Sequence, residues 1–312
     1  MNNKIDFLIK LFVTIFLLFF LIFKIGLENI YLTFLNLDWR YMIPVLPVFF
    51  IVLLLGAINI AILLIPIRHN LKFLDTFKYF LLSWAMGLLT PARIGEFSMI
   101  YYLSRHKVRI GVGTAVTLID KLITTGLYLI IGFLGLVLFF YSENMQIFFI
   151  FLIAYILIFI VIIFIIISDM GRKLIKNILK HNAKKFKGFS KTLSIYIKKR
   201  PDLLAYNLII TIIKTILLSL MNYWIFLGFG VYVPFWLVLS ISVLGSIISI
   251  VPISISGLGV RESLSVVLYS KFGVSASVVF SNHIISNTLS YVSAIVLIAL
   301  NVNKTKHKKI IF

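Results

Sequence analysis

Seven charged residues lie inside stretches that are otherwise apolar: Arg93, Glu96, Asp120, Lys121, Lys214, Arg261 and Glu262. A charge at membrane depth costs roughly 2.5–3.5 kcal/mol on insertion scales, so each needs a partner or a water-filled cavity. Four cations face three carboxylates. The surplus of one positive charge suits an anionic ligand such as a phosphate. Arg93 and Glu96 stand three apart, the spacing of one helical face. They follow Thr90-Pro91, where Thr90 can cap a helix and Pro91 can fill its first turn. An Arg beside the free N–H groups of a helix N-terminus can hold a phosphate, with Glu96 holding the Arg when the site is empty. The alternative is that Arg93 and Glu96 only neutralise each other and lock the turn.

The run Ser256-Gly257-Leu258-Gly259-Val260-Arg261-Glu262 is the second such place. Gly257 and Gly259 let the backbone approach another chain segment or a ligand closely. Ser254 or Ser256 can cap a helix beginning near Leu258. Arg261 and Glu262, as neighbours, are expected to point different ways. The alternative is a Gly-rich helix crossing in which Glu262 meets a Lys. Asp120-Lys121 is either an interfacial pair with Lys121 snorkelling or part of a buried network in which Asp120 meets Arg93 or Arg261. Lys214 pairs with one of the three acids or faces the ligand. His283 reads as a packing residue. There is no Asp-x-Asp pair, no His–Asp dyad and no Cys, and the five His are scattered without metal-ligand spacing. No catalytic residue, metal or cofactor is therefore expected.

The elements that must position these residues cross a membrane. The chain has 312 residues, 61% hydrophobic and 13% charged, with a mean hydropathy of +1.10. A soluble domain is about 45–50% apolar and about 25% charged, which excludes a soluble enzyme or a disordered chain. A span needs about 20 apolar residues, and backbone in lipid must satisfy its own hydrogen bonds, so the spans are helices. Six runs qualify: 5–27, 41–67, 112–140, 146–167, 203–227 and 275–300. The first resembles a signal peptide, but no small-residue cleavage site follows it, so it is expected to stay as an anchor. Segments 73–103 and 234–272 are apolar but broken in the middle by Pro and Gly. The first is too short for two spans, which need roughly 40 residues, and the break in each fits a pair of half-helices, a re-entrant hairpin.

The net charge of +20 is concentrated on a few loops, which points to an anionic lipid face rather than to nucleic acid. Eleven Lys and Arg lie between Arg172 and Arg200. Placing the basic loops inside lets the six spans alternate without conflict, with both termini cytoplasmic and the two hairpins entering from opposite faces. The fold class is thus an all-α polytopic membrane protein with six full spans and two opposed broken hairpins. It forms a single membrane domain over 1–312. The first half is 1–167, the basic cytoplasmic linker 168–202, the second half 203–303 and the basic tail 304–312. Span, hairpin, span precede the linker and follow it, the form of a degenerate inverted repeat.

At these residues the chain resembles the lysylphosphatidylglycerol synthase transmembrane-region family, also described as flippase-like. The resemblance covers roughly 5–300. It is carried by Pro91-Ala92-Arg93-Ile94-Gly95-Glu96, by Asp120-Lys121 and by Gly257-Leu258-Gly259-Val260-Arg261-Glu262. Arg93, Glu96, Asp120, Lys121 and Glu262 fall on the family's motif positions. Two positions depart from the pattern: Lys121 stands where an Arg is usual, losing bidentate phosphate geometry, and Ser256 stands where the late motif usually has Gly. The resemblance implies lipid handling in a prokaryotic cell membrane. Two-domain members join this unit to a soluble aminoacyl-transfer half; this sequence has no such half, so the expectation is a standalone form that does not make lysyl-lipid by itself. Standalone members are associated with polyprenyl-phosphate sugar pathways.

Three readings follow. The first is a flippase moving an anionic lipid or polyprenyl-phosphate-linked sugar headgroup, bound by the seven charged residues and by the hairpin-tip backbone at Thr90, Pro91, Gly95, Ser256, Gly257 and Gly259. The second is a scaffold that docks a glycosyltransferase through the basic linker. The third is a membrane enzyme acting on a lipid phosphate with Glu96 or Asp120 as general base.

Overall fold

A computed structural model describes residues 3–67, 71–140, 153 and 188–305. Within them are eleven α-helices and no β-strand. The helices are α1 (Asn3–Ile25), α2 (Leu27–Leu35), α3 (Val45–Leu64), α4 (Phe73–Leu88), α5 (Ser98–Arg105) and α6 (Ile110–Phe140). From the described end of the linker onward come α7 (Phe189–Ser194), α8 (Pro201–Gly228), α9 (Phe235–Ile248), α10 (Val260–Ser270) and α11 (Ala276–Thr305). Five stretches are long and apolar enough to cross a membrane: Ile5–Ile25, Trp39–Ile67, Ile110–Val137, Pro201–Gly228 and Ala276–Asn301. They match five of the six expected spans. The sixth, 146–167, lies outside the described residues but for 153, as do 168–187 of the linker and most of the basic tail.

Local chemistry sets the helix limits. Gly26, at φ 87°, separates α1 from α2. The stretch 28–40, between the first two expected spans, is mostly helical: α2 and a 3-10 turn at Trp39–Met42 in which the Asp38 carboxylate accepts the Arg40 N–H. Pro201 occupies the first turn of α8, where its missing N–H costs nothing. In α3, apolar residues run all the way round, and the helix is buried among its neighbours rather than set at the edge.

α4 and α5 have 16 and 8 residues, and α9 and α10 have 14 and 11. All four are shorter than the about 20 residues a full span requires. Each pair is broken where the sequence places Pro and Gly. The two breaks meet: Pro91 of the first and Ile255 of the second pair as an isolated antiparallel bridge. A span, a broken pair and a span thus recur in order, as α3, α4–α5, α6 and again as α8, α9–α10, α11.

Two apolar cores hold this arrangement. One gathers Phe49 and Leu53 of α3, Ile225 and Phe226 of α8, and Leu237 and Ile241 of α9. The other gathers Ile60 and Leu63 of α3, Leu103 of α5, Val116 of α6, and Tyr196 and Leu203 near the start of α8. Tyr196 is fully buried and its hydroxyl donates to the Leu63 carbonyl. The described end of the basic linker is thereby fastened to the end of α3. A polar seam ties α3, α6 and α8: Asn59 Nδ2 donates to Thr211 Oγ1 at 2.9 Å, and Asn207 Nδ2 lies 3.3 Å from both the Asn59 carbonyl and Asp120 Oδ1. Amides between membrane helices act in this way as glue.

Candidate functional site

Between the two cores lies a cavity of about 390 Å³. Six of the seven charged residues singled out from sequence line it: Arg93, Glu96, Asp120, Lys121, Lys214 and Arg261. Glu262, 1% exposed, stands directly behind Arg261. The seven come from four elements far apart in sequence, the first tip, α6, α8 and α10, and it is the meeting of the two broken pairs that gathers them.

The first tip is a tight reversal rather than a helix start. Ala92 and Arg93 both hold the left-handed conformation, at φ 53° and 55°. Thr90 does not cap a helix N-terminus. Its hydroxyl accepts the Gly95 N–H at 2.7 Å across the turn and reaches back to the Met86 carbonyl at 3.1 Å. A 3-10 turn, Ile94–Phe97, begins only after Arg93. Gly95 is pressed onto the end of α4, so a Cβ there would sit 2.2 Å from the Met86 carbonyl oxygen. Glu96 then folds back across Gly87, whose own absent Cβ leaves room for the Glu96 Cγ. The Glu96 carboxylate meets the Lys121 ammonium and lies 3.6 Å from the Arg93 guanidinium. The expected Arg93–Glu96 pair is present, but it is long and Glu96 is shared with Lys121.

The second tip differs from expectation in two respects. Neither Ser254 nor Ser256 caps the following helix. α10 begins at Val260 with Gly259 at its N-cap, and the Glu262 carboxylate itself accepts the Gly259 N–H at 2.6 Å. Arg261 and Glu262 do not diverge. The long Arg261 side chain turns back over Gly245, and its guanidinium lies 3.1 Å from Glu262 Oε1. Asn287 Nδ2 donates to the same carboxylate oxygen at 2.9 Å, and Asn287 Oδ1 accepts from Arg261. His283 Nδ1 lies 3.9 Å away from it. Ser256 is strained, with φ 50°, a region that costs an L-residue roughly 1–2 kcal/mol. Thr14 of α1 ties this tip down, its hydroxyl accepting the Ile255 N–H at 2.9 Å.

The remaining expectations fall as follows. Asp120, 4% exposed, meets neither Arg93 nor Arg261; its neighbours are Asn207 and, at 4.0 Å, Lys121. Lys214 lines the cavity and makes no ion pair within 4.0 Å among the described residues. His283, read as a packing residue, faces the cavity as well.

Sequence reasoning overlooked the neutral wall. Asn282, Ser286 and Ser290 of α11 line the cavity, as do His283, Asn287 and Tyr291. Both sets run at i, i+4, i+8, so each forms one stripe along a helix. Polar stripes of that period in an otherwise apolar span were the available signal. Asn222 of α8 closes this wall, accepting from Ser286 Oγ at 2.9 Å, while its carbonyl accepts from Asn282 at the same distance. The cavity thus brings four cations together with a stripe of neutral hydrogen-bonding side chains along α11.

Residues 7–298 match the sequence profile of the family described as Lysylphosphatidylglycerol synthase TM region. No curated protein matches the chain significantly.

Proposed function

Because the chain belongs to the lysylphosphatidylglycerol synthase TM region family, whose members are membrane-embedded and lipid-related, we propose that it translocates an anionic lipid headgroup across the bilayer without changing it chemically. The observation that carries this reading is the cavity between the broken pairs, lined by more cations than carboxylates. A phosphate crossing hydrocarbon unaided leaves its charge uncompensated. Here it would exchange water for fixed ammonium and guanidinium groups, while its acyl or prenyl tails stay in lipid.

The broken pairs supply the path. As re-entrant hairpins from opposite faces they would meet near the midplane, the common plan of transporter binding sites. The pairing of Pro91 with Ile255 then marks the barrier. Arg93, partly exposed and set by the strained first turn, would receive the headgroup on one side of it, and Arg261 on the other. Arg93 and Arg261 line the same cavity, so one headgroup would pass from the first station to the second without leaving it. The setting we propose is a prokaryotic cell membrane with both termini in the cytoplasm. The substrate is either an anionic phospholipid or a polyprenyl-phosphate-linked sugar.

The test is headgroup movement in proteoliposomes carrying a reporter-labelled anionic lipid, with wild type beside Arg93→Ala. The expected result is at least a tenfold slower transfer in the variant, with helix content and melting temperature retained. Transfer by Arg93→Ala at the wild-type rate would overturn the proposal.

A further inference from the structure

The charges of the cavity do not cancel, and the remainder has an address. Glu96 is engaged by Lys121 and Arg93. Glu262 is engaged by Arg261, by Asn287 and by the Gly259 N–H. Asp120 has Asn207 on one oxygen and Lys121 at 4.0 Å from the other. Lys214 lines the same cavity from the middle of α8. Among the described residues no carboxylate comes within 4.0 Å of it; Asp120 and Glu96 act on it only at longer range. With His283 counted neutral, Arg93, Lys121, Lys214 and Arg261 stand against Glu96, Asp120 and Glu262. Among the described residues the surplus is one positive charge, and Lys214 is the cavity cation with no carboxylate within 4.0 Å.

Resting on the translocation reading above, we infer that Lys214 sets the charge of the headgroup the cavity accepts. The ligand is a lipid phosphodiester, with one negative charge, whose headgroup is uncharged and bears hydroxyls. Three physical points carry this. A single phosphodiester brings the cavity to neutrality, whereas a diphosphate or phosphomonoester leaves a negative charge in excess within a low-dielectric site. A headgroup carrying an ammonium is disfavoured on two counts. It adds to the positive surplus, and each of the three carboxylates already has a protein partner. Beyond the charged end, the wall formed by Asn222, Asn282, Ser286 and Ser290 is neutral and holds both donors and acceptors, the complement of a hydroxyl-bearing group.

A phosphatidylglycerol and a polyprenyl-phosphate hexose both carry that chemistry and come from different sources. The experiment is native mass spectrometry of the purified chain against four probes: phosphatidylglycerol, a polyprenyl-phosphate hexose, a polyprenyl diphosphate and lysylphosphatidylglycerol. Wild type is compared with Lys214→Gln and Lys214→Arg. The wild type is expected to hold at least one of the phosphodiesters tenfold or more over both the diphosphate and the lysyl lipid. Whichever of the two phosphodiesters is held identifies the source. Lys214→Gln is expected to lose most of that preference and Lys214→Arg to keep it. A wild type that prefers the diphosphate or the lysyl lipid overturns the inference, and so does a Lys214→Gln variant that keeps the wild-type preference. Lys214 leaves no contacting carboxylate behind when neutralised, and Lys214→Arg guards against a folding defect. Binding is read without transport, so failure here is separable from failure of the translocation assay.

Discussion

The two broken helix pairs share a device and use it differently. In each, a charged side chain doubles back over a glycine of the preceding half-helix: Glu96 over Gly87 in the first, Arg261 over Gly245 in the second. In the first the result is loose. Glu96 divides itself between two cations, and Arg93 and Lys121 stay 31% and 34% exposed. In the second the result is closed. Glu262 is 1% exposed and held by Arg261, by an amide and by a backbone N–H. A carboxylate so completely satisfied fixes a helix start, whereas one shared between half-open cations can exchange partners. The second tip is thus read as the frame, holding its station Arg261 in a fixed place, and the first as the working end whose ions exchange partners, although both carry the same residue types.

The largest expected effect tests that contrast directly. Glu262→Ala removes the buried partner of Arg261, of Asn287 and of the Gly259 N–H at the α10 N-cap at once, and breaking a buried pair of this kind costs about 3 kcal/mol or more. Glu96→Ala removes the same group from a cavity that can hydrate its two cations, and should cost less than half as much. Thermal unfolding in one detergent reads both. Equal losses would break the distinction between frame and working end. Next in size is Gly95→Ala, whose Cβ would collide with the Met86 carbonyl; overpacking of this kind costs roughly 1–3 kcal/mol. Gly126→Ala in α6 is the control, because nothing lies within 4 Å of its Cβ position, and there the helix should gain up to about 1 kcal/mol. A Gly95→Ala protein that melts with wild type would show that the first tip can open without cost.

Much of the architecture was legible because it rests on length and apolarity alone. Five spans lie where the apolar runs lie, and both breaks fall at the Pro and Gly that no full span tolerates easily. The seven charged residues were legible for the same reason, since each is conspicuous in an apolar run. Their partners were not. The i, i+3 spacing of Arg93 and Glu96 implied a helix, but Ala92 and Arg93 turn left-handed, a local conformation that residue type gives no reason to expect. Adjacent residues diverge on a helix, yet the reach of an Arg side chain lets Arg261 fold back onto Glu262. Asp120 finds Asn207, which is 87 positions away in sequence and belongs to no motif. Contacts that depend on which helix faces which are set by tertiary packing, and a single sequence carries only their raw materials.

The smallest expected effect concerns strain, and it sharpens the comparison most. Both tips hold non-glycine residues at positive φ: Ala92 and Arg93 in the first, Ser256 in the second. Left-handed strain of this kind is often kept because a site uses it. In the first tip the strained residue is Arg93 itself, so its conformation aims the guanidinium. In the second the strained residue is Ser256, and the charged group is aimed by α10 instead. Ser256→Gly should therefore relieve strain without moving a cation. The relief, of order 1 kcal/mol, is partly offset by the greater freedom of glycine in the unfolded chain. The net expectation is a melting temperature raised by a degree or two, with headgroup transfer unchanged. If transfer falls instead while stability rises, the strain at Ser256 is part of the mechanism. The second tip would then be a moving part, and the two broken pairs would have to be treated as equal halves of one gate.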